Sequence, residues 1–177
     1  MVRLALLLAL VPVVLAAQSR HRGEAAPPAP PPLLYCNERF SFGINVPDGL
    51  TEQPPPANGD GATWLSADSS VEFRAWGEND VMSMKEMMEL AAERMAKTAV
   101  KRKGRDWFVV SGTLPDKRIL YRRTRMQNDV WVSFELIYPS SQRKTYDPMC
   151  GELAESMITC LAVSASDAED SDSLYGP

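Results

Sequence analysis

The stretch KRILYRRTRMQNDVWVSFELIYP, residues 117–139, contains two runs of alternating residues that meet at Asn128 and Asp129. A period of two is typical of a β-strand, and asparagine and aspartate tolerate the positive φ of a two-residue hairpin turn. A turn of this length fixes the register, so Arg122 is predicted to lie opposite Glu135. The register also pairs Thr124 with Ser133 and Met126 with Trp131, and it places on one face Val130, Val132, Phe134, Leu136 and Tyr138.

Further strands are predicted on the N-terminal side of this hairpin. Apolar side chains alternate from Arg39 to Val46, and Pro47 ends the run because proline cannot donate to a sheet ladder. Four more short runs have the β-branched and aromatic content of strands. They cover residues 62–67, 70–77, 98–104 and 106–114.

Two helices complete the pattern. Residues 83–99 begin with Ser83 and Glu86 in a capping-box arrangement. Their apolar stripe consists of Met84, Met87, Met88, Ala91 and Met95, for which core packing is favoured over a promiscuous binding surface. In the second helix, Asp147 is the predicted N-cap and Pro148 the first helical residue, and the apolar stripe is Cys150, Leu153, Met157 and Leu161.

The predicted order is therefore three strands, a helix, four strands and a helix. Neighbouring strands joined by short turns pair antiparallel, and helices that bury one stripe need a sheet face to cover. The sequence predicts an α+β fold in which an antiparallel sheet of about six to seven strands is flanked by helices.

The two ends of the chain have a different composition from this domain. Residues 1–16, with Arg3 and then an uncharged apolar run, are predicted to be a secretory signal peptide, and an uncleaved anchor is the alternative. The run is too short for a stable transmembrane span. Residues 17–34 are predicted to be a Pro-rich disordered linker, 35–162 a single globular domain, and 163–177 an acidic disordered tail. We expect an exported protein, periplasmic or extracellular.

Three cysteines in an exported chain predict one disulfide and one remaining thiol. Cys150 and Cys160 are ten residues apart in the predicted second helix, about 15 Å, which is too far for a bridge. Cys36 would therefore pair with one of them, and Cys160 is favoured over Cys150. The alternative is that all three are buried thiols with no bridge.

Several motifs in the domain resemble a widespread group of exported bacterial proteins of uncharacterised function. They are YCNERFSF at residues 35–42, NGDG at 58–61, and Tyr138-Pro139 followed by Tyr146-Asp147-Pro148. The order of elements is also similar to that of the PsbP-like superfamily, which implies an antiparallel sheet sandwiched by helices. Members of that superfamily have unlike functions, so the resemblance implies a fold and assigns no functional residue.

The sequence contains no recognisable catalytic set, metal site or cofactor motif. The only histidine, His21, lies in the predicted linker, so a histidine base or ligand is excluded from the domain. Asn58 to Gly61 lacks the further acids of a calcium loop, so a turn is predicted there. The net charge of −4, much of it in the tail, argues against nucleic acid as the partner.

Two surface features remain as candidates for binding. Trp76, Arg122, Met126 and Trp131 would form a protein-contact patch if no helix covers them, and would belong to the core if one does. Lys101, Arg102, Lys103 and Arg105 form a basic group, for which solvated charge is favoured over contact with an acidic partner or anionic lipid.

The expected function is therefore a non-catalytic binding or envelope-associated module. The partner would be an unknown envelope protein or an apolar small ligand. The alternatives are a hydrolase or other enzyme with an unrecognised site, and a structural or assembly factor.

Overall fold

Ten strands and two α-helices form the part of the chain that the computed structural model describes, residues 32–160. The N-terminal half contains β1 (Leu33–Asn37), β2 (Phe42–Val46), β3 (Thr51–Glu52), β4 (Gly61–Leu65), β5 (Glu72–Asn79) and α1 (Met84–Glu93). The C-terminal half contains β6 (Lys97–Lys103), β7 (Trp107–Thr113), β8 (Arg118–Gln127), β9 (Val130–Pro139), α2 (Arg143–Ser156) and β10 (Ile158–Thr159).

The strands form two antiparallel sheets. The larger has seven strands in the order β3-β4-β5-β9-β8-β7-β6, and the smaller has three in the order β1-β2-β10. The seven-stranded sheet and its flanking helices confirm the predicted α+β class. The separate three-stranded sheet was not predicted.

The register predicted for the β8–β9 hairpin is confirmed. Arg122 pairs with Glu135, Thr124 with Ser133 and Met126 with Trp131. The two turn residues, Asn128 and Asp129, have φ values of 51° and 60°, which a two-residue hairpin turn requires.

Each face of the large sheet carries its own apolar core. On the first face, α1 packs over the β7 side of the sheet, and its methionine stripe lies in the core as predicted. That cluster contains Met87, Met88, Ala91, Met95, Phe108, Val110, Leu120, Trp131 and Ile137. The second face is covered by the three-stranded sheet and α2, and its cluster includes Phe42, Ile44, Trp64, Phe73, Phe134, Leu136, Tyr138 and Leu153.

The first predicted strand, Arg39 to Val46, is shorter in the structure, where only Phe42–Val46 is strand and β1 precedes it. The chain forms a hairpin of β1 and β2, and Ser41 lies in the turn between them with a φ of 50°. Phe40 is buried from this turn rather than from a strand. Leu33 and Leu34 belong to β1, so regular structure begins within the predicted linker.

Both helices are placed differently from the prediction. α1 ends at Glu93 and Lys97 already belongs to β6, so residues 97–99 are strand instead of helix.

The second helix begins at Arg143, after a 3-10 turn at Ser140–Gln142, and Pro148 lies inside it. Asp147 does not cap the helix because it lies inside it, four residues after Arg143, where its carboxylate accepts the Tyr138 hydroxyl at 2.6 Å. α2 ends at Ser156, so Cys160 follows the helix. Leu161 lies outside the described residues.

Candidate contact groove

The structure separates the four residues of the predicted contact patch. Trp131 is 5% exposed in the core under α1, and Met126 packs against the same cluster. Trp76 on β5 and Arg122 on β8 project from the same face of the sheet, and both remain partly exposed. The candidate patch therefore narrows to Trp76 and Arg122.

Arg122 is held in place by aromatic rings and hydroxyl groups. Its guanidinium carbon lies 4.8 Å from the centre of the Trp76 ring and 5.5 Å from that of Phe108. Nε donates to Thr124 Oγ1 at 3.1 Å, and a terminal nitrogen donates to Glu78 Oε1 at 3.2 Å. Burial lowers the pKa of Arg122, although nearby glutamates oppose the shift. Arg122 therefore supports the face of the Trp76 ring by a cation–π contact.

A second charge pair lies beside Trp76. Glu135 is 1% exposed, and its carboxylate accepts a hydrogen bond from Arg94 at the C-terminal end of α1. Arg74 lies directly opposite Glu135 in the β5–β9 ladder, so the Arg74 side chain lies on the same face of the sheet as that of Glu135. The end of α1 is thus tied to the centre of the sheet by an ion pair that is buried on the glutamate side.

A groove of about 340 Å³ lies over this region. Gly61 forms part of its wall, opposite Trp76, and a Cβ at Gly61 would lie 2.6 Å from Trp76 Cβ. The other lining residues are Pro56, Asn58, Asp60, Ala62, Thr63, Arg74, Ala75, Arg94, Arg122 and Glu135. The groove thus combines one indole ring and three guanidinium groups with two carboxylates.

The groove offers guanidinium, carboxylate and indole groups for non-covalent contact. Its lining within residues 32–160 contains no serine, cysteine or histidine that could act as a nucleophile or a histidine base. Each carboxylate has a guanidinium partner, since Glu135 pairs with Arg94 and Asp60 lies 2.8 Å from Arg39. Carboxylates that are each paired with a guanidinium, next to a partly exposed indole, are suited to recognition more than to acid–base catalysis.

The residues of the first resembling motif hold the two sheets together. Asn37 donates to the Gly59 carbonyl at 3.0 Å, and its own side-chain oxygen accepts the Phe40 amide at 2.9 Å. Arg39 donates to the Asn58 carbonyl and pairs with Asp60. The NGDG segment therefore lies in a turn, as the sequence predicted, and its contacts join the β1–β2 hairpin to the large sheet, which was not predicted.

The residues of the second motif join β9 to α2. Tyr138 donates to Asp147, and its ring centre lies 5.2 Å from that of Tyr146. Burial, together with the hydrogen bond to Asp147, raises the pKa of Tyr138 well above its usual value. Both motifs thus specify tertiary structure, which explains why they indicate a fold and no reaction.

The cysteine pairing favoured from the sequence is confirmed. Cys36 and Cys160 form a disulfide with a Cα–Cα distance of 5.8 Å. Cys150 is a buried thiol that donates to the Tyr146 carbonyl at 3.3 Å, and burial raises its pKa to about 12. A thiol with so high a pKa is a poor nucleophile at neutral pH.

Between Pro32 and Cys160, no three His, Cys, Asp or Glu side chains are grouped so that they could hold a metal ion. No helix in that range has the length and apolar character needed to span a bilayer.

Trp76 and Arg122 were predicted from the sequence as contact residues, whereas Arg94, Glu135 and Gly61 were not. The pairing of Arg122 with Glu135 was predicted, yet nothing in the local sequence shows that α1 ends above Glu135. Gly61 could have been recognised from the sequence, because a glycine in a strand often marks a site where a ligand or another backbone approaches closely.

Comparison with known proteins agrees with this architecture. The domain belongs to the class of α+β proteins with a PsbP-like fold. Its structure is similar to the solution structure of cyanobacterial PsbP (CyanoP) from Synechocystis sp. PCC 6803, with a TM-score of 0.54 and 8% identity. The match covers 72% of this chain and 91% of CyanoP. At this identity the likeness shows the fold alone. No family model and no curated protein matches the sequence.

Proposed function

We propose that this protein is an exported, non-catalytic module that binds a protein partner through the groove around Trp76. The observation that carries the proposal is the groove on the first sheet face, next to the C-terminal end of α1. There a partly exposed indole lies over the guanidinium of Arg122. Tryptophan and arginine are the residues most enriched among those that dominate protein–protein binding energy.

The composition of the groove favours a protein over an apolar small ligand. Small-molecule pockets are mostly apolar with a few polar groups, whereas here Arg74, Arg94, Arg122, Asp60 and Glu135 all contribute to the lining. Charged side chains next to an aromatic residue are the combination found at the polar rim and apolar centre of a protein interface.

Export is part of the same proposal. The disulfide between Cys36 and Cys160 supports it, because such bridges persist in oxidising compartments. The basic start and apolar run of residues 3–17 support it as well. Mass spectrometry of the protein from fractionated cells tests the point. A mature chain in the exported fraction that begins at Ala17 is expected, and an intact N-terminus in the cytoplasm would contradict it.

Photo-crosslinking in cells tests the groove itself. A photoreactive phenylalanine analogue replaces Thr63 in the groove, or Leu90 on the exposed face of α1 as the control. We expect a discrete crosslinked protein from position 63, at least fivefold stronger than from position 90, and its loss when Trp76→Ala is added. Equal crosslinking from both positions, or a band that is unaffected by Trp76→Ala, would contradict the proposal.

The other two functions considered from the sequence have less support. An enzyme would need converging catalytic groups, and the carboxylates of the groove are each paired with an arginine. An assembly factor would be expected to present a flat apolar patch, whereas the groove is rich in charge. Once crosslinking has identified a partner, the lifetime of the complex distinguishes the two functions. A stable complex indicates a binding module, and a transient complex indicates an assembly factor.

A further inference from the structure

A second surface with candidate binding residues lies on the second face of the large sheet, opposite the face that carries the Trp76 groove. The ladder places Arg102 next to Val109 and Val109 next to Arg123, while Trp107 pairs with Arg125. Arg102, Trp107, Arg123 and Arg125 therefore project from the second face, at the β6–β7–β8 side. We call these four residues the arginine–tryptophan surface.

The positive charge of this surface is poorly balanced. The Arg123 guanidinium lies 4.2 Å from the centre of the Trp107 ring. Within residues 32–160, neither Arg123 nor Arg125 has a carboxylate within 4.0 Å, and the Nε atom of each is buried without a hydrogen-bond partner. Burial lowers the pKa of both arginines, although nearby Asp106 opposes the shift. An added anion would stabilise the charged form of both side chains.

The described chain ends at the edge of this surface. A cleft of about 380 Å³ is lined by Trp107, Arg123, Arg125 and Thr159, with Asp106 as the one carboxylate among its lining residues in the described range. The next residue, Cys160, is fixed by its disulfide to Cys36 and by a hydrogen bond from its amide to the Ser41 carbonyl at 3.1 Å. The last described residue, Cys160, is therefore fixed one position beyond Thr159, which lines the cleft.

The residues that follow Cys160 have the complementary charge. Positions 161–177 contain Asp167, Glu169, Asp170 and Asp172 and no lysine or arginine. Asp167 is seven residues beyond Cys160, and an extended chain of that length reaches about 23 Å. Attachment this close gives a millimolar effective concentration, which makes even a weak ionic contact intramolecular.

We infer that the acidic segment Asp167–Asp172 binds the arginine–tryptophan surface of its own chain and excludes other acidic peptides from it. The contact is a set of guanidinium–carboxylate pairs beside the Trp107 ring. Exposed pairs of this kind are individually weak and screened by salt, so the contact is reversible. This inference is independent of the Trp76 groove, which lies on the other face.

The test compares the full chain with the variant Asp167→Asn/Glu169→Gln/Asp170→Asn/Asp172→Asn. The indole N–H signal of Trp107 in a nitrogen-15 NMR spectrum reports on the surface, and buried Trp64 serves as an internal reference. Neutralising the four acids is expected to shift the Trp107 signal and leave the Trp64 signal unchanged. In 1 M salt the wild-type signal should move toward that of the variant, because the Debye length falls to about 3 Å.

A free peptide with the sequence of residues 163–177 provides the competition arm. It should bind the neutralised chain roughly tenfold more tightly than the wild type, whose own segment competes at millimolar effective concentration. Glu93→Gln, which removes a charge from α1 on the opposite face, should change neither result.

Three outcomes would overturn the inference. If Trp107 is unaffected by neutralisation and the peptide binds both chains equally, the surface serves a separate acidic partner. If the peptide binds neither chain, the surface does not recognise acidic segments. If the Trp107 shift depends on protein concentration, the contact forms between copies.

Discussion

At the scale of single residues, two glycines differ in whether the surrounding packing has room for a side chain. Gly77 lies in β5 under the ring of Phe40, and a Cβ there would be 2.2 Å from a ring carbon. Gly151 lies in α2, and a Cβ there would have no neighbour within 4 Å. Of these two glycines, Gly77 is needed for packing, since its lack of a side chain lets the β1–β2 turn close onto the large sheet.

Replacing each glycine by alanine should change stability in opposite directions. Gly77→Ala is expected to lower the free energy of unfolding by about 1–3 kcal/mol, because Phe40 must move. Gly151→Ala is expected to raise it by about 0.5–1 kcal/mol, because alanine loses less entropy in a helix. Urea denaturation of the three proteins measures both effects. Equal destabilisation by both changes would contradict the role given to Gly77.

Arg94 and Glu135 show how one residue depends on a distant element. Glu135 is buried in the sheet and needs a cation, and α1 supplies Arg94 at its C-terminal end. The apolar pattern of the sequence continues past this point to Met95. The helix nevertheless ends at Glu93 and the chain enters β6 at Lys97.

At the scale of elements, the start of α1 is fixed by local sequence. Ser83 Oγ accepts the Glu86 amide at 3.3 Å, and Glu86 accepts the Ser83 amide at 2.9 Å. The hydrogen bonds from Ser83 also lower the pKa of Glu86. This reciprocal arrangement satisfies two backbone donors that the first turn of a helix leaves without partners.

Removing the serine cap should weaken α1 measurably. Ser83→Ala is expected to lower the free energy of unfolding by about 1 kcal/mol, because the Glu86 amide loses its acceptor. Ser140→Ala is the matched control, since Ser140 is exposed in the 3-10 turn and caps nothing. Thermal unfolding followed by circular dichroism compares the two. A control that is destabilised as much as Ser83→Ala would remove the capping explanation.

At the scale of the whole molecule, the disulfide joins the two ends of the described domain. Cys36 lies in β1 and Cys160 follows β10, 124 residues later in the sequence. Both strands pair with β2, so the bridge fastens the small sheet at its outer strands. Cys150 is buried on the inner side, against the second core.

The three cysteines should therefore be distinguishable by thiol titration. The native protein is expected to show almost no reactive thiol at pH 8, because burial raises the pKa of Cys150 to about 12 and covers its sulfur. Denaturation without reductant should reveal one thiol, and denaturation after reduction should reveal three. The Cys36→Ala/Cys160→Ala variant should lose about 2–5 kcal/mol of stability. Three thiols in the unreduced denatured protein would contradict the bridge.

The sequence by itself determined the features that depend on near neighbours in the chain. The β8–β9 register follows from a two-residue turn, and the start of α1 follows from Ser83 and Glu86. The α+β class follows from the alternation between periods of two and 3.6. In each case the residues that interact are close enough in sequence for their spacing to specify the contact.

Only the tertiary structure decided which surfaces remain open. Trp76 and Trp131 occupy similar positions in the alternating pattern, yet α1 covers one and leaves the other partly exposed. The sequence predicts Asp147 as a helix cap, but in the structure Asp147 lies inside α2 and its carboxylate accepts a hydrogen bond from Tyr138. Burial depends on which distant element packs over a residue, and that information is absent from the local pattern. The groove at Trp76 and the arginine–tryptophan surface could therefore be located only from the folded chain.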